Sequence, residues 1–139
     1  MSTQITPYLL YEDGNAAMDF IRDAFGFEEV LRYRSPEGRV THGELRLGDD
    51  NVYVGEPGGD YKSPMRAGQT TVGIHVYVDD VDAHYERAKA AGAEISEGPA
   101  DQEYGDRRYT AKDPEGHHWF FATHVRDVDP AEWGATAAT

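Results

Sequence analysis

The chain has 139 residues, of which 39% are hydrophobic and 28% are charged, and this is the size and composition of one globular domain. It contains no cysteine, which excludes disulfides, thiolate nucleophiles and thiolate metal ligands. Its formal net charge of −13 argues against nucleic acid and anionic membranes as partners, because both are bound through clustered Lys and Arg. No apolar run is long enough to cross a bilayer. The N-terminal residues also lack the basic and apolar regions of a secretory signal, which predicts a cytoplasmic protein.

The first half of the chain predicts a strand, a helix and three further strands. An apolar run over residues 5–11 predicts a buried strand, and Asn15 is the predicted N-cap of a helix that begins at Ala16. Apolar residues recur along that helix at spacings of three and four as far as Phe25, and Gly26 is its predicted stop. Short strands separated by Gly, Pro, Asp and Asn then predict an antiparallel meander over 28–34, 40–47 and 52–56.

The second half repeats this order. A strand is predicted over 72–78, a helix over 83–91 with a stop at Gly92, and further strands over 94–96, 107–111 and 118–123, with a break at 98–102. Superposing Gly26 on Gly92 matches Tyr11 with Tyr77 and Asp13 with Asp79. Fixed-period repetition constrains a whole fold. The sequence therefore predicts a single α+β domain of two tandem βαβββ modules, about 4–57 and 70–125, with a loop linker over 58–69 and a tail over 126–139 that begins with a capped turn at Asp129.

The turn sequences of the second half carry a family resemblance. Asp113-Pro114-Glu115-Gly116 leads into the last strand, and Tyr104-Gly105-Asp106-Arg107 precedes the strand before it. With the two βαβββ units, these residues resemble the vicinal oxygen chelate superfamily (glyoxalase, bleomycin resistance protein and dioxygenase) over residues 5–125, and its PhnB-like subgroup in particular. The resemblance implies that each module curls into a sheet concave on one face, that two modules pair into a cup that holds the ligand, and that the protein is a homodimer.

The resemblance also locates the positions of a metal site. In metal-dependent members, His, Glu or Gln side chains from four strands bind a divalent metal, and the corresponding positions here are Thr6, Val54, Gly73 and Phe120. None of these four side chains is a good ligand, so no metal cofactor is expected. One alternative stays open, because Glu56, His75 and His118 would form a displaced triad suited to Zn, Fe, Mn or Ni.

Strand alternation selects the candidate ligand-binding residues, because residues two apart share a face. Tyr8 then shares the cup face with Thr6, Glu56 with Val54, and His75 and Tyr77 with Gly73. The predicted ligand-binding residues are Tyr8, Val54, Glu56, His75, Tyr77, Arg107 and Phe120. Several of these rings are suited to flat apolar ligands, although some aromatic residues of this region would belong to the core.

The basic and imidazole side chains allow two interpretations each. His75 either contacts the ligand, where an imidazole would also suit a general base because it exchanges protons near neutral pH, or only satisfies a neighbouring polar group. Arg107 and Arg108 are consecutive, so one faces inward and could clamp a carboxylate or phosphonate, or pair with surface acids. The remaining histidines are interpreted as turn, rim or exposed helix residues: His42, His84, His117 and His124.

These observations favour a small-molecule-binding protein that lacks the usual metal ligands. Drug sequestration, as in the bleomycin-resistance branch, needs affinity alone, and an acidic cup would attract cationic compounds. The alternative is a glyoxalase-like lyase or isomerase, or a dioxygenase, that uses the displaced metal site or His75 as a base. Whether the protein is an enzyme is left open by its sequence.

Overall fold

The computed structural model describes residues 2–138, so Met1 of the predicted N-terminal region and Thr139 of the predicted tail lie outside the described residues. The first module consists of β1 (Tyr8–Leu10), α1 (Gly14–Phe25), β2 (Glu28–Arg34), β3 (Val40–Leu47) and β4 (Asp50–Gly55). The linker contains α2 (Pro64–Ala67). The second module consists of β5 (Gly73–Tyr77), α3 (Val81–Ala90), β6 (Glu94–Asp101), β7 (Asp106–Lys112) and β8 (His118–His124), and a 3-10 turn (Pro130–Trp133) follows it.

Each module forms its own four-stranded sheet. Sheet 1 has the strand order β1-β4-β3-β2 and sheet 2 the equivalent order β5-β8-β7-β6. In both, the first strand runs parallel to the last, with Tyr8 opposite Tyr53 in sheet 1 and His75 opposite Phe120 in sheet 2. The predicted α+β fold of two tandem βαβββ modules is confirmed.

One helix covers one face of each sheet. The predicted apolar stripe of α1 is buried, and its members are Ala17, Met18, Ile21, Ala24 and Phe25. Met18 fits against β3 because Gly43 has no side chain, since a Cβ there would lie 2.4 Å from the Met18 sulfur. Leu9 and Val54 complete the buried side of this layer.

The two modules share a single core and meet through their helices. The Phe25 ring at the end of α1 lies 5.0 Å from the ring of Trp119 and 4.7 Å from that of Phe121, both on β8. The Arg87 side chain on α3 donates to the last-turn carbonyl of Asp23 at 3.0 Å. The helices α1 and α3 therefore lie toward the shared core, and within residues 2–138 neither of them covers the opposite side of its sheet. We call this side the uncovered face.

The helices begin earlier than predicted, because aspartates cap them. Asp13, rather than Asn15, accepts a hydrogen bond from the backbone N–H of Ala16, and Asp80 occupies the equivalent position before α3. Aligning these two caps matches Tyr8 with His75, one residue away from the correspondence that the glycine superposition predicts. The repeat is real, but α3 is shorter than α1.

Two further segments differ from their predictions. The linker predicted as a loop contains the single turn α2, which is capped by the Ser63 side chain and ends at Gly68 in the left-handed region. The sixth strand continues through the predicted break and pairs with β7 as far as Asp101, with irregular register on the way. The predicted turn at Asp129 is confirmed. No helix within residues 2–138 is long and apolar enough to span a membrane.

Candidate functional site

The uncovered face of sheet 2 carries three of the predicted site residues together. The rings of His75 and Tyr77 lie 4.9 Å apart on β5, and Phe120 is the register partner of His75 on β8. The Phe120 ring occupies the space above Gly73, where an added Cβ would lie 2.4 Å from a ring carbon. An aromatic ring therefore takes the position that a metal-ligating side chain at residue 73 would need.

A polar network fixes Tyr77 at one end of this face. Its hydroxyl donates to Asp106 Oδ2 at 2.8 Å, and this hydrogen bond is the main cause that raises the Tyr77 pKa above its ordinary value. The other carboxylate oxygen, Oδ1, lies 2.9 Å from His124 Nδ1, and His124 Nε2 lies 2.6 Å from Asp127. The hydrogen bonds to Asp127 and Asp106 raise the pKa of His124. Tyr77 is thus held as a neutral phenol with its ring exposed.

The predicted role of Arg107 is wrong, because its side chain lies on the helix side of sheet 2. It forms ion pairs with Asp82 on α3 at 3.1 Å and with Asp101 on β6 at 3.2 Å. Arg108 is the inward member of the pair, and its guanidinium carbon lies 5.5 Å from the centroid of the Phe120 ring. Alternation along β7 predicts that only one of the two arginines faces the site. It does not predict which one, because the aspartates that hold Arg107 on the helix side lie on α3 and β6 rather than on β7.

The uncovered face of sheet 1 carries Tyr8 in a hydrogen-bonded chain that the sequence did not suggest. The Tyr8 hydroxyl lies 2.7 Å from His42 Nδ1, and His42 Nε2 lies 2.8 Å from Glu44 Oε2. Tyr53 packs edge-on against both rings, at 5.6 Å from Tyr8 and 4.9 Å from His42. His42 is therefore part of a sheet face rather than a turn. Residues 42 and 44 are two apart in a predicted strand, and this spacing could have predicted that their side chains share a sheet face.

Two predicted site residues of sheet 1 lie on its other side. Val54 is fully buried opposite Leu9 under α1, and Tyr53 takes its place on the uncovered face. The Glu56 carboxylate accepts hydrogen bonds from the backbone N–H groups of Gly14 at 2.7 Å and Val40 at 3.2 Å. Glu56 therefore satisfies backbone donors at the start of α1. The expectation that these two residues share the face of Tyr8 is wrong.

The donor set does not fit a divalent metal. At the four positions assigned from the resemblance, residues 6, 54, 73 and 120, the structure has a threonine, a core valine, a glycine and a phenylalanine, and the register of β1 with β4 puts Tyr53 rather than Val54 on the uncovered face. In the proposed displaced triad, Glu56 is engaged at the start of α1 on module 1, whereas His75 and His118 lie in sheet 2, on β5 and β8. Among residues 2–138, no three His, Asp or Glu side chains are grouped to hold a metal ion.

A groove of about 850 Å³ runs beside the free edge of β5, between the two modules. Its walls include Ile5 and Pro7 before β1, Leu47 at the end of β3, and His75 and Tyr77. The two last residues therefore border both the groove and the uncovered face of sheet 2. None of the ring contacts within residues 2–138 joins them to Tyr8, which lies with Tyr53 on sheet 1.

His84, predicted as an exposed or rim residue, is instead half-buried at the contact between the modules. Its Nε2 lies 2.9 Å from the Phe25 carbonyl and its Nδ1 lies 2.5 Å from the Tyr109 hydroxyl. A carbonyl only accepts, so Nε2 carries the proton and Nδ1 accepts from the phenol. Burial lowers the pKa of His84. Its role is to join α3 to the end of α1, away from the uncovered faces.

Comparison with known proteins agrees with this architecture. Residues 4–121 match the family described as the glyoxalase/bleomycin resistance protein/dioxygenase superfamily. An uncharacterized protein of Mycobacterium tuberculosis strain H37Rv, Rv0887c, is 37% identical over 133 residues, which cover 92% of this chain and 78% of that protein.

Two solved structures show the same fold. TioX from Micromonospora sp. ML1 is 35% identical, with a TM-score of 0.73 over 89% of this chain and 100% of that chain. A glyoxalase/bleomycin resistance protein/dioxygenase from Nocardioides is 19% identical, with a TM-score of 0.69 over 94% of this chain and 88% of that chain, and shows the fold alone. On the family match and these relatives, the chain belongs to the glyoxalase/bleomycin resistance protein/dioxygenase superfamily.

Proposed function

We propose that this protein is a member of the PhnB-like subgroup that binds a small, flat, aromatic compound on its uncovered sheet faces without a metal, and sequesters it as proteins of the bleomycin-resistance branch do. The observation that carries the proposal is the set of aromatic rings that these faces leave open. Tyr8 is 49% exposed, Tyr77 is 60% exposed, and Tyr33, which lies on β2 opposite His42, is 65% exposed. Exposed rings grouped on a face that no helix covers are typical of a binding surface.

The polar groups beside these rings support recognition rather than simple apolar packing. Tyr8 and Tyr77 are each anchored by a hydrogen bond, to His42 and Asp106 respectively. Anchoring fixes the ring orientation before a ligand arrives, so less side-chain entropy is lost on binding. A few fixed polar groups among aromatic side chains are what small-molecule sites usually contain.

A second copy of the chain is part of the proposal. Within one chain the modules meet through their helices, so the uncovered faces of sheets 1 and 2 are not closed over a ligand by the chain itself. A homodimer would cover part of the exposed apolar surface and give the ligand a second wall. A ligand pocket buries most of its ligand, which a single open sheet face does not do.

The experiment is a calorimetric titration of the native protein with a panel of two-ring and three-ring aromatic compounds. We expect stoichiometric binding of at least one compound, and a loss of about tenfold in affinity in Tyr77→Ala, because ring contact and burial are lost. Tyr85→Ala is the matched control, since Tyr85 lies on α3 against Tyr109. Equal loss in both variants would contradict the proposed site.

The same preparation separates binding from the enzymatic alternative. Elemental mass spectrometry of protein purified without a chelator is expected to find far less than one Zn, Fe, Mn or Ni per chain. About one metal per chain, together with turnover of a lyase or dioxygenase substrate, would overturn the proposal and favour the displaced site. His75 has no hydrogen bond to another residue within 2–138 that would orient it as a base, which is why binding is preferred.

A further inference from the structure

Arg108 is a basic side chain without an acidic partner in a strongly acidic protein. The chain has 26 Asp and Glu against 13 Lys and Arg, and its neighbour Arg107 is paired with two aspartates. Arg108 forms no ion pair and no side-chain hydrogen bond within residues 2–138. Its register neighbours are Ala122 on β8 and Ala100 on β6, so no carboxylate stands beside it in the sheet.

A second polar group on the same face also lacks a partner. Thr110 is two residues from Arg108 on β7 and therefore shares its face. The Thr110 hydroxyl is buried without a hydrogen bond, although buried polar groups are nearly always paired. Its register partner on β8 is Phe120, whose ring lies beside the Arg108 guanidinium. A ligand acceptor that reached this hydroxyl would satisfy it.

The acids of this face do not cancel the charge of Arg108. Asp106 is buried and bound to Tyr77 and His124. Glu97 is the register partner of Thr110 on β6 and makes no ion pair with Arg108. The guanidinium thus keeps the planar set of donors that suits a carboxylate or a similar oxyanion.

We infer that the uncovered face of sheet 2 binds the acidic group of a planar aromatic acid, with Arg108 as the anion partner. The aromatic part would lie against the rings of Phe120, His75 and Tyr77, and the Thr110 hydroxyl would supply a further donor. This inference rests on the proposed function and names the ligand class of that site. An anionic ligand replaces the cationic ligand that we expected from the net charge of the chain alone.

The experiment compares two probes of one shape, 2-naphthoate and the uncharged 2-naphthamide, by calorimetry in about 0.15 M salt, where long-range repulsion from the net charge is screened. Native protein should bind naphthoate more tightly than naphthamide. In Arg108→Met, which keeps an unbranched side chain over Phe120, naphthoate affinity should fall about tenfold. Naphthamide affinity should stay within about twofold of the native value.

Arg107→Met is the matched control, because it removes the same charge from the helix side of the same strand. It should leave the affinity for both probes unchanged. If Arg108→Met binds naphthoate as the native protein does, or if both variants lose affinity equally, the inference is overturned and the proposed function stands. If native protein binds neither probe, both the inference and an aromatic-binding function for this face are overturned.

Discussion

Asp113 shows, at the scale of one residue, how a turn motif holds the two modules together. Its Oδ2 accepts from the Tyr11 hydroxyl at 2.5 Å and from the Trp119 indole at 3.1 Å. Its Oδ1 accepts from the backbone N–H groups of Glu115 and His117, both at 3.1 Å. Burial alone would raise the pKa of this carboxyl, but hydrogen bonds from the side chains of His117, Tyr11 and Trp119 outweigh burial and lower it. The sequence predicts the turn, whereas the link to Tyr11 of the other module appears only in the fold.

Replacing Asp113 with Ala is therefore expected to destabilise the protein by roughly 3 kcal/mol, because buried donors from both modules would lose their shared acceptor. Urea unfolding followed by tryptophan fluorescence measures this change. Tyr11→Phe removes one donor and leaves the carboxylate otherwise paired, so it should lower the unfolding free energy by less than Asp113→Ala does. Asp60→Ala, at an exposed position, should leave the midpoint nearly unchanged. A midpoint for Asp113→Ala equal to that of Asp60→Ala would contradict the structural role.

At the scale of elements, periodicity predicts which segments form helices and strands but not how strands align. The spacing of buried residues along α1 and the helix end at Gly26 could be predicted because both depend on residues close in sequence. The register of β1 against β4 could not be predicted, because it depends on pairing between segments that are distant in sequence. A one-residue error in register exchanges the two faces of a strand, and this is why Val54 was predicted where Tyr53 lies.

The contact between α1 and α3 should make stability depend on pH through His84. Its pKa is lowered by burial from an ordinary value of 6.5, so the unfolded chain binds a proton at a higher pH than the folded protein does. The stabilisation is complete above about pH 6.5 and is lost as pH falls toward the lowered pKa, by at most ~1.4 kcal/mol per pH unit. The difference in unfolding free energy between native protein and His84→Gln should therefore become smaller as pH is lowered from 7.5 to 5.5.

His124 supplies a control of opposite sign in the same titration. Its pKa is raised by Asp127 and Asp106, so its stabilisation is present below the ordinary pKa and is lost as pH rises through the raised value. The difference between native protein and His124→Gln should shrink as pH increases. If the difference in unfolding free energy between native protein and His84→Gln stays constant across the pH range, His84 is not a buried neutral group.

The whole molecule has two sheets whose first strands, β1 and β5, are both free edges. Large apolar residues stand exposed just before these strands, with Ile5 91% exposed and Val72 66% exposed. Free edges present unpaired backbone groups and are usually blunted by charge or covered. Within residues 2–138, Ile5 and Val72 are neither charged nor covered, and the groove beside β5 leaves room for another segment. A second copy that covers the edges would also bring another uncovered face toward the proposed ligand site.

The last prediction follows from that geometry. Sedimentation equilibrium of the native protein should give twice the chain mass of 15.5 kDa, and the double variant Ile5→Lys with Val72→Lys should give the single-chain mass, because charges at strand edges oppose pairing. Met65→Lys, at an equally exposed apolar residue on α2, should remain a dimer. If the native protein sediments at the mass of one chain, the ligand must be held by open faces alone. Affinity for aromatic compounds should then be independent of protein concentration, and the double variant should bind them as tightly as the native protein does.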